Sequence, residues 1–151
     1  MARPNKILVA YDGSPQSKQA LEWALDLSRS SNGSVVVVFV SEPIHMSSMV
    51  MYNIEGGSEK WVAETIKEVQ TRELKTLDEA KTYCASRGVD VKTELLHGNI
   101  AESIIKYAKQ EHVDLIVAGT KGHGALEELL MGSVTRNLVS LAHTPVLVVK
   151  D

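Results

Sequence analysis

The run Val35-Val36-Val37-Val38-Phe39-Val40 is apolar at every position, and that continuity decides the fold. A strand with one face in water alternates apolar and polar residues, whereas a strand covered on both faces does not. The run therefore reads as a central strand of a parallel sheet. On its N-terminal side, Ile7-Leu8-Val9-Ala10-Tyr11 is a second short apolar run, ended by Asp12-Gly13. Ser14-Pro15 then supplies a helix N-cap and a proline at the first helical position. Ala20, Leu21, Ala24, Leu25 and Leu27 recur at helical spacing up to the stop signal Asn32-Gly33.

On the C-terminal side, residues 41–58 carry Pro43, Gly56, Gly57 and the methionines Met46, Met49 and Met51 without a period, and read as a mobile loop. From Glu59 to about Arg87 the positions Val62, Ile66, Val69, Leu77, Ala80 and Cys84 mark an amphipathic helix ended by Gly88, long enough to break near its middle. The segment from Val89 to Leu96 alternates only partly, as expected of a strand nearer the sheet edge. Asn99 and Glu102 then form a capping-box-like pair ahead of Ile100, Ile104, Ile105 and Ala108. Asp114 to Ala118 is the fourth strand, Val134 to His143 a helix, and Val146 to Val149 a fifth strand introduced by Pro145. Strand and helix alternate throughout, without an internal repeat. That order predicts an α/β fold in one domain over residues 1–151: a Rossmann-like, five-stranded parallel sheet with helices on both faces.

Composition removes several function classes. A chain of 151 residues buries roughly 68–70% of its unfolded surface and needs neither disulfide nor metal to hold together. A net charge of −3 argues against a nucleic-acid backbone as partner. No apolar run approaches the roughly 18 residues that span a bilayer, so no membrane role is expected. The single cysteine, Cys84, cannot form an internal disulfide, and the opening Met-Ala-Arg-Pro-Asn-Lys lacks an apolar signal segment; a reducing cytoplasm is the expected compartment.

Chemistry concentrates at Gly119-Thr120-Lys121-Gly122, followed nine residues later by Gly132-Ser133. Glycines at a strand exit let an anion approach main-chain N–H groups. Gly132-Ser133-Val134-Thr135 at a helix start adds free N–H donors, a positive dipole end and two hydroxyls, although Ser133 serves equally as a plain N-cap. These glycines and Asp12 all fall at predicted carboxyl ends of strands, where open parallel sheets bind ligands. The pattern is neither a P-loop, since no Gly-Lys-Ser/Thr run occurs, nor the G-x-G-x-x-G dinucleotide turn. Taken singly, Gly119, Gly122 and Gly124 also fit a flexible loop, and Asp12 fits a turn residue capping Ser14-Pro15.

Taken together, these residues resemble the universal stress proteins, a family whose ATP-binding members carry G-x2-G-x9-G-[ST]. Gly119, Gly122, Gly132 and Ser133 fit that pattern without a gap. The likeness extends from Ile7–Ser14, similar to the family's opening strand and Asp-Gly-Ser turn, through Gly98 with Ile104, Ile105 and Ala108, to its closing strand at Pro145–Lys150. The resemblance implies an adenine nucleotide alpha hydrolase-like fold that binds ATP with Mg²⁺. It implies that Ala10, Tyr11 and Asp12 lie at the nucleotide, with Asp12 near the ribose or the metal and phosphates. The Val40 backbone would hold the adenine edge, Gly119, Gly122, Gly132, Ser133, Val134 and Thr135 would wrap the phosphates, and Thr120 would belong to the same nucleotide site. A carboxylate among phosphates calls for a bridging cation, which makes Asp12 the candidate metal ligand. Lys121 and His123 occupy variable positions of the motif; each either meets the nucleotide or is a solvated loop residue.

Fast phosphoryl transfer needs a placed base and extra charge stabilisation. Arg136, Glu127 and Glu128 are explained as a solvated helix face, so no catalytic residue is assigned. The expected function is an ATP-binding regulatory module of the stress response, read by an unknown protein partner. A slow ATPase or self-phosphorylating protein, with Ser133 or Thr135 as acceptor, and a nucleotide-free interaction protein are the alternatives. An apolar fifth strand at the chain end leaves an edge to cover, and the resemblance implies a homodimer through strand 145–150.

Overall fold

The structure, a computed structural model, describes residues 3–43, 59–121 and 131–150. Of the loop expected over residues 41–58, Ser41 closes the second strand and residues 44–58, with Met46, Met49 and Met51, lie outside the described residues, as do Gly122, His123, Gly124, Glu127 and Glu128. The elements are β1 (Lys6–Ala10), α1 (Pro15–Ser31), β2 (Ser34–Ser41), α2 (Glu59–Ser86), β3 (Lys92–His97), α3 (Ile100–Gln110), β4 (Leu115–Gly119), α4 (Ser133–Leu141) and β5 (Val146–Val149).

All strands are parallel, in the order β3-β2-β1-β4-β5. The chain builds outward from β1 to β3 on one side and returns to add β4 and β5 on the other. The predicted α/β sheet is therefore present, with β3 and β5 at its two edges. The Val35–Val38 stretch of β2 is buried, as its unbroken apolarity requires of a strand covered on both faces. On one face Ile7, Val9 and Val37 pack with Leu21 and Leu25 of α1 and Leu77 and Cys84 of α2. On the other, Leu8, Val36 and Ile116 pack with Ile104 of α3 and Leu138 of α4.

Local chemistry explains the helix ends. Ser14 is the N-cap of α1: its hydroxyl accepts from Ser17 N–H at 3.2 Å, and Pro15 follows at a position that needs no donor. At the other end Asn32, not Gly33, takes the left-handed conformation, with φ 58°. Gly33 is needed for space instead, as its contacts with the chain before β1 show below. Asn99 caps α3 by accepting from Glu102 N–H at 3.1 Å. The helix expected from Glu59 to about Arg87 is present as α2, and the room its length leaves for a break is not used: no glycine or proline interrupts Glu59–Ser86, and it runs as one helix of 28 residues. Its second half buries Leu77, Ala80 and Cys84, whereas Val62, Ile66 and Val69 are only half-buried. β3 begins at Lys92 rather than Val89, because Gly88 turns with φ 77° and residues 89–91 serve as the lead-in. No helix among the described residues is long and apolar enough to cross a membrane.

Burial, and secondarily the nearby Glu22 carboxylate, push the Cys84 thiol up to about 11. The folded state thus holds the thiol neutral at a pH where the unfolded chain ionises it. That contribution to stability is complete below about pH 8.5 and is lost as pH rises toward 11. Two outcomes follow: slow labelling of the native protein by a thiolate-directed reagent at pH 8, and a Cys84→Ala variant whose alkaline loss of stability is shallower than that of the parent. Equal slopes in denaturant titrations between pH 8 and 11 would remove the claim.

Candidate functional site

The sequential order of strands reverses between β1 and β4, whose pairing ends at Val9 and Val117, short of the last residues of either strand. A cavity of about 590 Å³ opens at that point, within the roughly 300–1,000 Å³ range of small-molecule sites.

Its first wall is the turn after β1. Tyr11 N–H is the last rung to β2, donating to Val38 C=O at 2.9 Å. Asp12 then turns the chain: its Oδ1 accepts from Ser14 N–H at 2.9 Å, while its own N–H donates to Ser17 Oγ at 3.3 Å. Gly13 completes the turn with φ 82°, a conformation that glycine takes without strain. Asp12 is thus the turn residue the sequence allowed, and it also lines the cavity. Burial first, then the neighbouring Cys84, Glu79 and Asp12, push the Tyr11 phenol up, which keeps it an O–H donor.

The second wall is the exit of β4 and the start of α4. Gly132 is the N-cap of α4 and contributes no side-chain cap bond. Ser133 is therefore the first helical residue rather than the cap. The first helical rung is Arg136 N–H to Gly132 C=O at 3.0 Å, so the N–H groups of Ser133, Val134 and Thr135 precede the ladder at the positive end of the helix dipole. Thr135 Oγ1 donates to Gly119 C=O at 2.7 Å, and Gly132 N–H donates to Thr120 C=O at 2.7 Å. These two bonds hold the helix start against the strand exit. Lys121 lines the cavity beside them and brings a positive charge.

The third wall is apolar. Val38, Val40 and Ala118 from the strands meet Ile100 and Ile104 of α3. Neighbouring residues of a parallel strand point their backbone groups to opposite sides. Ser41 C=O faces β3, where it accepts from Gly98 N–H at 3.0 Å, and Val38 C=O faces β1. By that alternation the N–H and C=O of Val40 face the side that β1 has left, toward the cavity.

Among the described residues no group of three or more His, Cys, Asp or Glu side chains gathers to hold a metal ion. A cation there would take most of its ligands from phosphate and water, with one carboxylate, a coordination that suits Mg²⁺.

A sequence profile of the universal stress protein family matches residues 4–150 of this chain. The chain belongs to that family. It is 34% identical over 146 residues to the universal stress protein YxiE of Bacillus subtilis, covering 97% of this chain and 99% of that one. The structure of the protein MJ0577, a universal stress protein of Methanocaldococcus jannaschii, is similar with a TM-score of 0.83 at 27% identity, over 99% of this chain and 98% of that one. A universal stress protein family member from Arabidopsis thaliana, solved with AMP bound, has a TM-score of 0.68 at 21% identity over 97% and 92% of the chains; at that identity the likeness is one of fold.

Of the residues singled out in the sequence, Ala10, Tyr11, Asp12 and Val40 line the cavity from β1 and β2, and Gly119, Lys121, Gly132, Ser133, Val134 and Thr135 line it from β4 and α4. Thr120 lies behind the wall: it is buried, its N–H donates to Val149 C=O at 3.2 Å, and its C=O accepts from Gly132. Gly122 and His123 lie outside the described residues. Sequence reasoning passed over Glu42 and Glu73, which also line the cavity, and treated Ile100 and Ile104 only as core. Glu73 sits mid-helix among charged residues, and nothing in its local sequence marks it.

Proposed function

We propose that this protein is an ATP-binding regulatory module of the stress response that takes its nucleotide, with Mg²⁺, in the switch-point cavity and turns it over slowly at most. One observation carries this reading: a single cavity joins an apolar wall with a backbone donor-acceptor pair at Val40 to a helix N-terminus with uncapped N–H groups and Lys121. The first suits a purine, whose edge hydrogen-bonds in the plane of its ring. The second suits a phosphate chain. The AMP-bound relative from Arabidopsis thaliana supports the class of ligand. Asp12 would share in holding Mg²⁺, which supplies charge neutralisation for the phosphates.

The test is calorimetric titration of ATP in excess Mg²⁺ into the parent and a Gly132→Ala variant. A Cβ at Gly132 meets the Lys121 Cα and Thr120 C=O no closer than 3.5 Å, an ordinary contact, so the variant folds normally while carrying a methyl at the helix start. The expected result is saturable binding by the parent and a loss of about tenfold or more in the variant, 1.4 kcal/mol being a factor of ten. Absence of binding by the parent would sink the reading. Turnover at the pace of kinases, about 1–100 per second, would make the protein an enzyme instead.

Self-phosphorylation is a second reading, and one contrast narrows it to Ser133. That residue is exposed at the cavity, whereas the buried Thr135 hydroxyl already donates to Gly119. Assembly as a homodimer through residues 145–150 in a reducing cytoplasm completes the proposal. Its support is β5 at the sheet edge, with Val139 at 49% and Leu141 at 59% exposure nearby. A partner protein would read the nucleotide-bound surface.

A further inference from the structure

Glu73 reaches the cavity from α2, on the sheet face opposite α3. Its Oε1 accepts a hydrogen bond from Ser41 Oγ at 2.8 Å, in a part-buried setting. Ser41 follows Val40, and strand alternation sends its side chain toward α2. The bond therefore ties the carboxylate next to the Val40 backbone, where the cavity already offers the Val40 C=O. A carboxylate has about four acceptor sites and no donor; Ser41 uses one of them. Glu42 lines the same end and adds a second negative side chain. At this end the side chains accept hydrogen bonds, beside the donor-acceptor pair of the Val40 backbone, while the α4 end donates them.

Two acceptors side by side match an exocyclic –NH2 group, which has two hydrogens to give. A ring carbonyl in the same place would face two negative ends and leave both acceptors unpaired. We infer that Glu73, tethered by Ser41, is a specificity-determining residue that takes the second hydrogen of an exocyclic amine and so selects 6-amino over 6-oxo purine nucleotides. This inference rests on the nucleotide reading above, with the base at Val40 and the phosphates at α4.

The experiment measures equilibrium binding of ATP, ITP and 2′-deoxy-ATP, in excess Mg²⁺, to the parent, Glu73→Gln and Ser41→Ala proteins. Glutamine keeps the shape and an oxygen for Ser41 but offers an N–H2 that suits a 6-oxo group. The parent is expected to prefer ATP over ITP by about tenfold or more, and Glu73→Gln to bring that ratio to about one, chiefly by gaining ITP. Ser41→Ala keeps the carboxylate but releases its tether, and reduces the ratio partway. The preference for ATP over 2′-deoxy-ATP stays as in the parent. An unchanged ATP-to-ITP ratio in Glu73→Gln overturns the role of Glu73 and leaves the nucleotide site standing. A change confined to the 2′-deoxy-ATP ratio overturns it too, since Glu73 would then hold the ribose. A parent that binds none of the three removes the nucleotide reading and this inference with it.

Discussion

Gly119→Ala is expected to lower the melting temperature by roughly 2–12 °C and to cut nucleotide binding by about tenfold or more. A Cβ at residue 119 would stand 2.9 Å from the Gln16 Cβ and 3.0 Å from both its carbonyl carbon and oxygen. Two of those atoms are backbone, in the first turn of α1, and no rotamer change moves them. Relief requires α1 to slide. Overpacking of that kind costs about 1–3 kcal/mol, and a domain of this size loses about 2–4 °C per kcal/mol. The same slide carries Ser14 and Ser17, which hold the Asp12 turn, so one wall of the cavity moves with the helix. Thermal unfolding paired with ATP titration checks both parts. A variant that melts with the parent and binds as well would mean that α1 adjusts freely at its N-terminus.

The second large effect concerns Gly33, which touches no ligand. A Cβ there would lie 2.6 Å from the Pro4 carbonyl oxygen and 3.0 Å from that of Asn5. The segment cannot simply back away: Gly33 N–H donates to Ser28 C=O at 3.0 Å, and Ser34 N–H donates to Asn5 C=O at 2.8 Å. Gly33→Ala is therefore expected to destabilise by about 3 kcal/mol, at the upper end for overpacking, with roughly 6–12 °C lost in melting temperature. Per folded molecule, nucleotide affinity should be unchanged, which separates this variant from Gly119→Ala. Denaturant titration of the two side by side gives the comparison, and a loss under about 1 kcal/mol for Gly33→Ala would show that the chain before β1 yields.

Those two glycines also mark how far sequence reasoning reaches. Asn32-Gly33 reads correctly as the end of α1, since both residues favour a helix stop. Which of them takes the left-handed turn, and that Gly33 is needed for room, depends on Pro4 and Asn5 arriving alongside β2, a tertiary fact. The apolar run at residues 35–40 was legible because burial on both faces removes the alternation. The extent of α2 was legible too, and only a break was left open, because its first half is half-buried and its apolar stripe weakens there without the helix ending. At the site, Gly119 and Asp12 are recognisable from standing at strand exits, and Gly132 from opening a helix. Glu73 is not, because its relevance comes from a hydrogen bond to Ser41, 32 residues away. The Thr135 hydroxyl reads as a phosphate contact until Gly119 is found 2.7 Å from it.

The place of β1 between β2 and β4 has a consequence for the protein's birth. β2 begins at residue 34 and β4 at residue 115, and synthesis at about 5–20 residues per second separates them by roughly 4–16 s. Through that interval the nascent chain can pair β1 on one flank only, leaving its other edge open to any passing strand. The cavity is made where that edge is finally closed. A chain cut short before β4 lacks the wall that β4 and α4 supply, so under the proposed function nucleotide occupancy would distinguish finished molecules from fragments.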